Sequence, residues 1–205
     1  LLPHNKVIQM MVDDLRMQDD VGIVGGRMVS LQRKNIDPEF LLGSVPKKVA
    51  RCLTRVSGWF FGSSSEEVYE GKETTPFMMI RTNALGKVFY DENYQGTGFR
   101  EETDLQRQIL RLGFKIITDD RAYVYHFPVQ EGGNRSQAEW SQRMYWKARN
   151  HTYFILKWHG HRLFKNIWYM MAGTAILTLY RPLCLHKILS GVRHGYELWN
   201  STKKA

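Results

Sequence analysis

Apolar residues recur at helical spacing near the start of the chain, at Val7, Met10, Met11 and Leu15, with Asp13, Asp14 and Arg16 between them. That pattern predicts an amphipathic helix from about Pro3 to Met17. "VGIVGGRMV", Val21 to Val29, is a short apolar run with glycines and predicts a buried strand. Residues Gln32 to Gly43 read as loop. Val45 to Phe61 carries Val49, Cys52, Leu53 and Val56 on one side and Lys47, Lys48, Arg51 and Arg55 on the other, the pattern of a basic amphipathic helix. Gly62 to Thr75 is polar and predicts an exposed loop. "PFMMI" predicts a buried strand, and "RTNALGKV" a short helix ending near Gly86. Glu101 to Leu112 is the clearest helix, with Leu105, Ile109 and Leu112 as its apolar stripe and Gly113 to close it. "FKIIT" and "AYVYHF" follow as two strands. Strands alternating with helices predict an α/β layered sheet. From Ser136 onward the pattern turns helical, aromatic and basic. The expected division is 1–132 for the α/β part and 133–205 for a helical tail, with a boundary near Gly132–Gly133.

Composition narrows this picture. The chain has 205 residues, 43% hydrophobic and 13% aromatic, which suits a folded domain with a real core. The formal net charge of +9 asks for a polyanionic neighbour, whether nucleic acid, anionic lipid or a phosphorylated substrate. Cys52 and Cys184 lie far apart, without CxxC or zinc spacing, so neither a disulfide framework nor a cysteine metal site is expected. That usage fits a reducing compartment. "LLPHNKVIQMMVDDL" reads as the middle of something, so the chain is expected to be the back portion of a longer protein.

The candidate chemistry lies in "YQGTGFREETDLQRQILRLGFKIITDDRAYVYHF", Tyr94 to Phe127. Glu101, Glu102 and Asp104 open the clearest helix, where carboxylates also suit the positive end of the helix dipole. Helical spacing places Glu102 on the inward stripe with Leu105 and Ile109, and Asp104 on a polar stripe with Glu101, Gln108 and Arg111. Gly96, Thr97 and Gly98 form a loop whose backbone can approach a ligand closely. His126 ends an apolar strand, and in α/β sheets ligands sit beyond strand C-termini. An imidazole there can serve as a base, a metal ligand or a phosphate donor, or simply as a structural residue.

In this order the pieces resemble the second half of the GT-A catalytic domain of family-two glycosyltransferases. "PFMMIRTNAL", "YQGTGF", "REETDL", "LGFKI" and "RAYVYHF" match that family's strand with a following Arg, Gly-rich loop, acidic helix, "G-y-k-i" and "a-x-V-x-H" segments. "LPHNKVIQMMVDDLRMQDDVGIVGGRM" resembles the helix and strand after the family's metal-binding Asp-x-Asp. The resemblance covers roughly Leu1 to Lys157. It implies a partial GT-A, Rossmann-like mixed sheet with flanking helices. It also implies an inverting transferase moving a sugar from a nucleotide-diphosphate sugar to an acceptor hydroxyl, in polysaccharide, glycolipid or glycoprotein biosynthesis. Glu102 stands at the catalytic base, although Asp is commoner there, and Asp104 at an orienting acid. His126 matches the histidine that helps hold a divalent metal, Mg or Mn, or the diphosphate. Gly96, Thr97, Gly98, Arg100 and Glu101 fall on the substrate side, with Arg100 placed to meet a phosphate. Two departures stand out: Gln108 replaces a common Arg, and the chain contains no Asp-x-Asp. In the family that motif would precede Leu1. The chain alone is therefore expected to be inactive, and its missing half to lie upstream or on a separate chain.

The tail adds a membrane expectation. Trp140 to Tyr153 predicts a helix, and Gly132, Gly133, Asn134 and Arg135 a closing loop, with Arg135 either at a phosphate or solvated. "IWYMMAGTAILTLY", Ile167 to Tyr180, is an apolar run of 14 residues, short of the ~20 a spanning helix needs. Arg162, Lys165, Arg181, Lys187 and Arg193 surround it, with Trp168, Tyr169 and Tyr180 at its edges. Two readings fit: a buried core helix, or a helix lying at a membrane surface. The basic balance favours anionic lipid, and with it a cytoplasmic protein at the inner face of the cell membrane. The implied partners are a nucleotide-diphosphate sugar, a saccharide or lipid-linked acceptor, and that surface. The alternatives are a nucleic-acid-binding module, for which the chain lacks a known motif, and a non-catalytic peripheral membrane protein with a decayed transferase half.

Overall fold

The computed structural model describes residues 2–3, 6–30, 52–53, 56–57, 68–126, 139–160 and 162–203. They divide into two compact units, one of residues Leu1–Ala50, Phe61–Asp91 and Glu102–Pro128, the other of Arg51–Phe60, Glu92–Glu101 and Val129–Ala205. The tail unit thus takes in two segments from the α/β half of the sequence. The expected boundary at Gly132–Gly133 and the expected loop over Gln32–Gly43 lie outside the described residues. So does most of the basic helix expected over Val45–Phe61, of which Cys52–Leu53 and Val56–Ser57 are helical.

The first unit is a mixed sheet flanked by helices. In chain order it contains β1 (Leu2–Pro3), α1 (Val7–Met17), β2 (Val21–Ser30), β3 (Val68–Gly71), β4 (Met78–Ile80), α2 (Thr82–Leu85), α3 (Glu101–Arg111, entering the unit at Glu102) and β5 (Lys115–His126). The sheet is four strands wide. β2 and β5 run parallel at its centre, β4 lies antiparallel on the free edge of β2, and β1 and β3 pair with opposite ends of β5.

Both faces of the central pair are covered, which is why β2 reads as an apolar run rather than an alternation. Val21 and Val24 pack with Val7 and Met11 of α1, while Ile23 packs with Leu105, Ile109, Ala84 and Val88 on the other face. Val21 and Val24 are three apart, yet they share a face. A bulge explains this: Val21 pairs with Lys115 and Ile23 with Ile116, so Gly22 is the extra residue. A Cβ on Gly22 would lie 2.6 Å from that of Phe114, so only glycine fits.

Three local expectations are corrected. The helix expected from about Pro3 begins at Val7, and Leu2–Pro3 pair with β5 as β1. The loop expected over Gly62–Thr75 contains β3, which pairs with β5 from Val68↔Asp119 to Gly71↔Ile116. It is an edge strand, and an edge tolerates the polar residues that hid it. The two strands expected at "FKIIT" and "AYVYHF" form one strand, β5, with an irregularity opposite Gly26–Arg27. There Asp119 accepts hydrogen bonds from the backbone N–H and guanidinium of Arg121 at 2.9 Å, closing the irregularity on itself.

The second unit holds α4 (Trp140–His159), α5 (Leu163–Tyr180), a short 3-10 turn (Pro182–Cys184) and α6 (Leu185–Thr202). α4 is buried without a break from Ala148 to Leu156. Tyr153, Phe154 and Ile155 form the core with Tyr94 and Tyr169. α6 seats on α4 through Gly191 and Gly195, where an added Cβ would lie 2.4 Å from the carbonyl oxygens of Tyr145 and Arg149. Glycines four apart on one helix permit this backbone-to-backbone approach. Among the described residues no helix is long and apolar enough to cross a membrane.

Candidate active site

The segment leading into α3 belongs to the second unit. Gly96, Gly98 and Arg100 all have left-handed backbone, with φ of 68°, 63° and 74°. Every second residue of "GTGFR" therefore turns the chain sharply. Glycine adopts this freely, whereas for Arg100 it costs on the order of 1–3 kcal/mol that the surroundings must supply. The surroundings are identifiable. The Trp146 indole packs where a Cβ on Gly96 would sit, within 2.3 Å. Arg149 donates to the Asn93 carbonyl and Asn150 to the Gln95 carbonyl, both at 2.9 Å. Arg100 is 4% exposed, donates from Nε to His151 Nδ1 at 3.3 Å, and lies over the rings of Phe99 and Phe154.

His151 is fully enclosed, and its Nε2 faces the Tyr169 carbonyl at 3.3 Å. Burial first, and the neighbouring Arg100 charge second, hold its pKa well below the ordinary value. The neutral ring with a proton on Nε2 satisfies both contacts, accepting from Arg100 and donating to Tyr169. Arg100, expected from the resemblance to be available to a phosphate, is buried and holds the loop through His151 and the two rings. The sequence reading missed Arg149, Asn150 and His151. Their signal is a run of polar residues, Arg149 to Thr152, directly before the aromatic and apolar stretch Tyr153–Leu156 of the same helix.

In the first unit, α3 presents Glu102 and Asp104 differently from the expected arrangement. Asp104 is 1% exposed and buried with Leu105, Gln106 and Ile109, while Glu102 is partly exposed. This corrects the polar-stripe placement of Asp104. The reason is Gln108, which donates to Asp104 at 2.9 Å and reaches over to Phe89, accepting from its N–H at 3.2 Å and donating to its carbonyl at 2.8 Å. That double contact draws residues near Phe89 over the helix flank. An arginine at 108 lacks the acceptor the Phe89 N–H needs. Gln106 makes the same two-way bond to the backbone of Thr74, at 2.9 and 3.1 Å. No hydrogen bond or ion pair engages the Glu102 carboxylate among the described residues.

Arg81, the arginine after β4, ties β2 to the end of α1 by donating to the carbonyls of Val21 at 2.8 Å, Gln18 at 2.9 Å and Leu15. His126 closes β5 opposite Ser30 in parallel register. Its side chain and Arg135 lie outside the described residues. Among the described residues no three His, Cys, Asp or Glu side chains converge to hold a metal.

A second cluster of charge sits at the β5 irregularity. Burial, then the charge and hydrogen bond of Asp119, push the Asp14 carboxyl up to about 6. Burial also acts upward on Asp119, but the hydrogen bonds and charge of Arg121 outweigh it and leave that carboxyl below its ordinary value. A cleft of about 240 Å³ nearby is lined by Arg27, Asp120, Arg121 and Tyr123. It contains none of the residues singled out from the sequence.

Compared with family models, curated proteins and solved structures, the chain matches none of them.

Proposed function

We propose that this chain is the acceptor-side part of an inverting glycosyltransferase that uses a nucleotide-diphosphate sugar. The reading rests on the resemblance of five ordered segments to family-two transferases. The observation that carries it to a residue is Glu102: a partly exposed carboxylate in the first turn of α3, unengaged by the described residues. Most polar side chains around it on α3 are occupied with structure, namely Asp104, Gln106 and Gln108.

In this reading the acceptor hydroxyl attacks the anomeric carbon from the face opposite the leaving group. The new C–O bond forms as the bond to the diphosphate oxygen breaks, and the hydroxyl proton passes to Glu102. Asp104, through Gln108, fixes the flank of the helix that presents the base. The divalent metal implied by the resemblance would neutralise the leaving diphosphate when bound, and His126 is the residue of this chain that would meet it. The remaining metal and nucleotide groups would come from the half that carries Asp-x-Asp.

The test is Glu102→Gln in the chain joined to that nucleotide-binding half. Transfer should fall by about two or more orders of magnitude, the usual scale for removing a general base. Unchanged transfer would sink this assignment and favour the non-catalytic reading.

A further inference from the structure

We propose that the outward face of α5 rests on the surface of an anionic lipid bilayer. The buried side of α5 is formed by Asn166, Tyr169, Gly173 and Leu177. The opposite side carries Phe164, Trp168, Met171, Ala175 and Leu179, all exposed, with the Trp168 indole N–H donating to the Val56 carbonyl at 2.7 Å. These positions recur at intervals of three and four, so they form one stripe along a helix about 27 Å long. Phe164 is 89% exposed and Leu179 85%, and Leu183 in the following turn reaches 94%. Isolated surface leucines are ordinary, but a continuous stripe marks an interaction surface.

The stripe contains no charged residue. Lys165, the one charged residue of α5, sits on its flank with Nζ 5.3 Å from the Tyr169 ring centroid. At the C-terminal end Arg181 stacks on Trp140 and Tyr180. Cations and aromatics bordering an apolar stripe are what the headgroup layer of a membrane accommodates.

Charge selects the occupant. From Arg162 to the end, the sequence holds seven lysines and arginines against a single acid, Glu197, and Glu197 is already paired with Arg193 at 2.8 Å. A second copy would bring like charges together. An anionic bilayer supplies both the opposite charge and a fluid apolar layer that conforms to a convex helix. No described helix is long and apolar enough to cross the bilayer, so the contact is one of lying on it. The inference does not depend on the transferase reading, because bilayer binding is measured without a sugar donor.

Cosedimentation of the 205-residue chain with vesicles of phosphatidylcholine and phosphatidylglycerol in equal parts provides the test. Binding should be at least tenfold stronger than to pure phosphatidylcholine and should weaken as salt rises. The Phe164→Ser, Leu179→Ser double variant should bind at least tenfold more weakly. Bromine-labelled acyl chains should quench a part of the tryptophan fluorescence that disappears in Trp168→Phe. This quenching decides the matter if the double variant fails to fold. The proposal is overturned if the chain stays in the supernatant, if both vesicle types bind alike, or if the folded double variant binds as wild type does. It is equally overturned if the same substitutions abolish self-association while vesicles go unbound.

Discussion

Glu102 and Asp104 are both acids in the first turn of α3, yet their environments oppose each other. Asp104 is buried and bonded to Gln108, whereas Glu102 faces partly outward. Asp104→Ala should therefore lower the free energy of unfolding by about 1–3 kcal/mol, the cost of stranding buried polar groups. Glu102→Gln should move it by less than about 0.5 kcal/mol. Urea unfolding of the two variants separates a structural acid from an available one. His151 gives a pH prediction. Its proton affinity is depressed in the folded state, so the unfolded chain takes up a proton, near pH 6.5 for an ordinary histidine, that the native ring refuses. Stability contributed by the neutral ring is present above that pH and declines as pH falls through and below it. The slope of unfolding free energy between pH 8 and 5 should lose this part in His151→Asn, although that variant is less stable throughout. Helical spacing set Glu102 on the inward stripe and Asp104 on the polar one, and burial overturns the second placement, because spacing counts direction along one helix and omits the loop that Gln108 draws over it.

At the scale of elements, close approach decides what can change. α6 meets α4 where Gly191 and Gly195 leave no room for a Cβ. Gly195→Ala should cost about 1–3 kcal/mol through overpacking, against the gain that alanine normally brings inside a helix. Denaturant midpoints show which effect wins. The contact of α1 with β5 carries the opposite pH sign from His151. Asp14 holds its proton up to about pH 6 in the folded state, beside Asp119. The stability linked to that proton is fully present below the ordinary aspartate value near 4 and is lost as pH rises through about 6. Asp14→Asn keeps the neutral form at every pH, so its stability relative to wild type should rise between pH 5 and pH 8. A pH-independent difference would show that the two carboxyls do not share a proton. α1, β2, β4 and α3 were legible from periodicity because each buries one stripe or a whole apolar run. β3 was not, since a four-residue edge strand takes its order from pairing with β5 rather than from its own side chains.

For the whole molecule, two patterns divide the chain: a mixed sheet covered on both faces, and three helices of which the first, α4, is buried without a break through its middle. Phe164→Ser with Leu179→Ser should leave the melting temperature within about 2 °C of wild type, since both side chains stand in solvent and surface changes are small. A larger drop would mean that the stripe is covered within the folded chain. By itself the sequence determined the α/β class of the first unit, the helical tail, and the positions of β2 and α3. These follow from burial periods that neighbouring residues carry in their own spacing. It also singled out "GTGFREETD" as the candidate for chemistry, because flexible backbone beside carboxylates is a local feature. Only the tertiary structure decided that Asp104 points inward, that Arg100 is held by His151, and that the Glu92–Glu101 segment belongs with the tail unit. Each of these depends on partners 19 to 56 residues away along the chain. No local period records such a distant partner, and packing alone selects it.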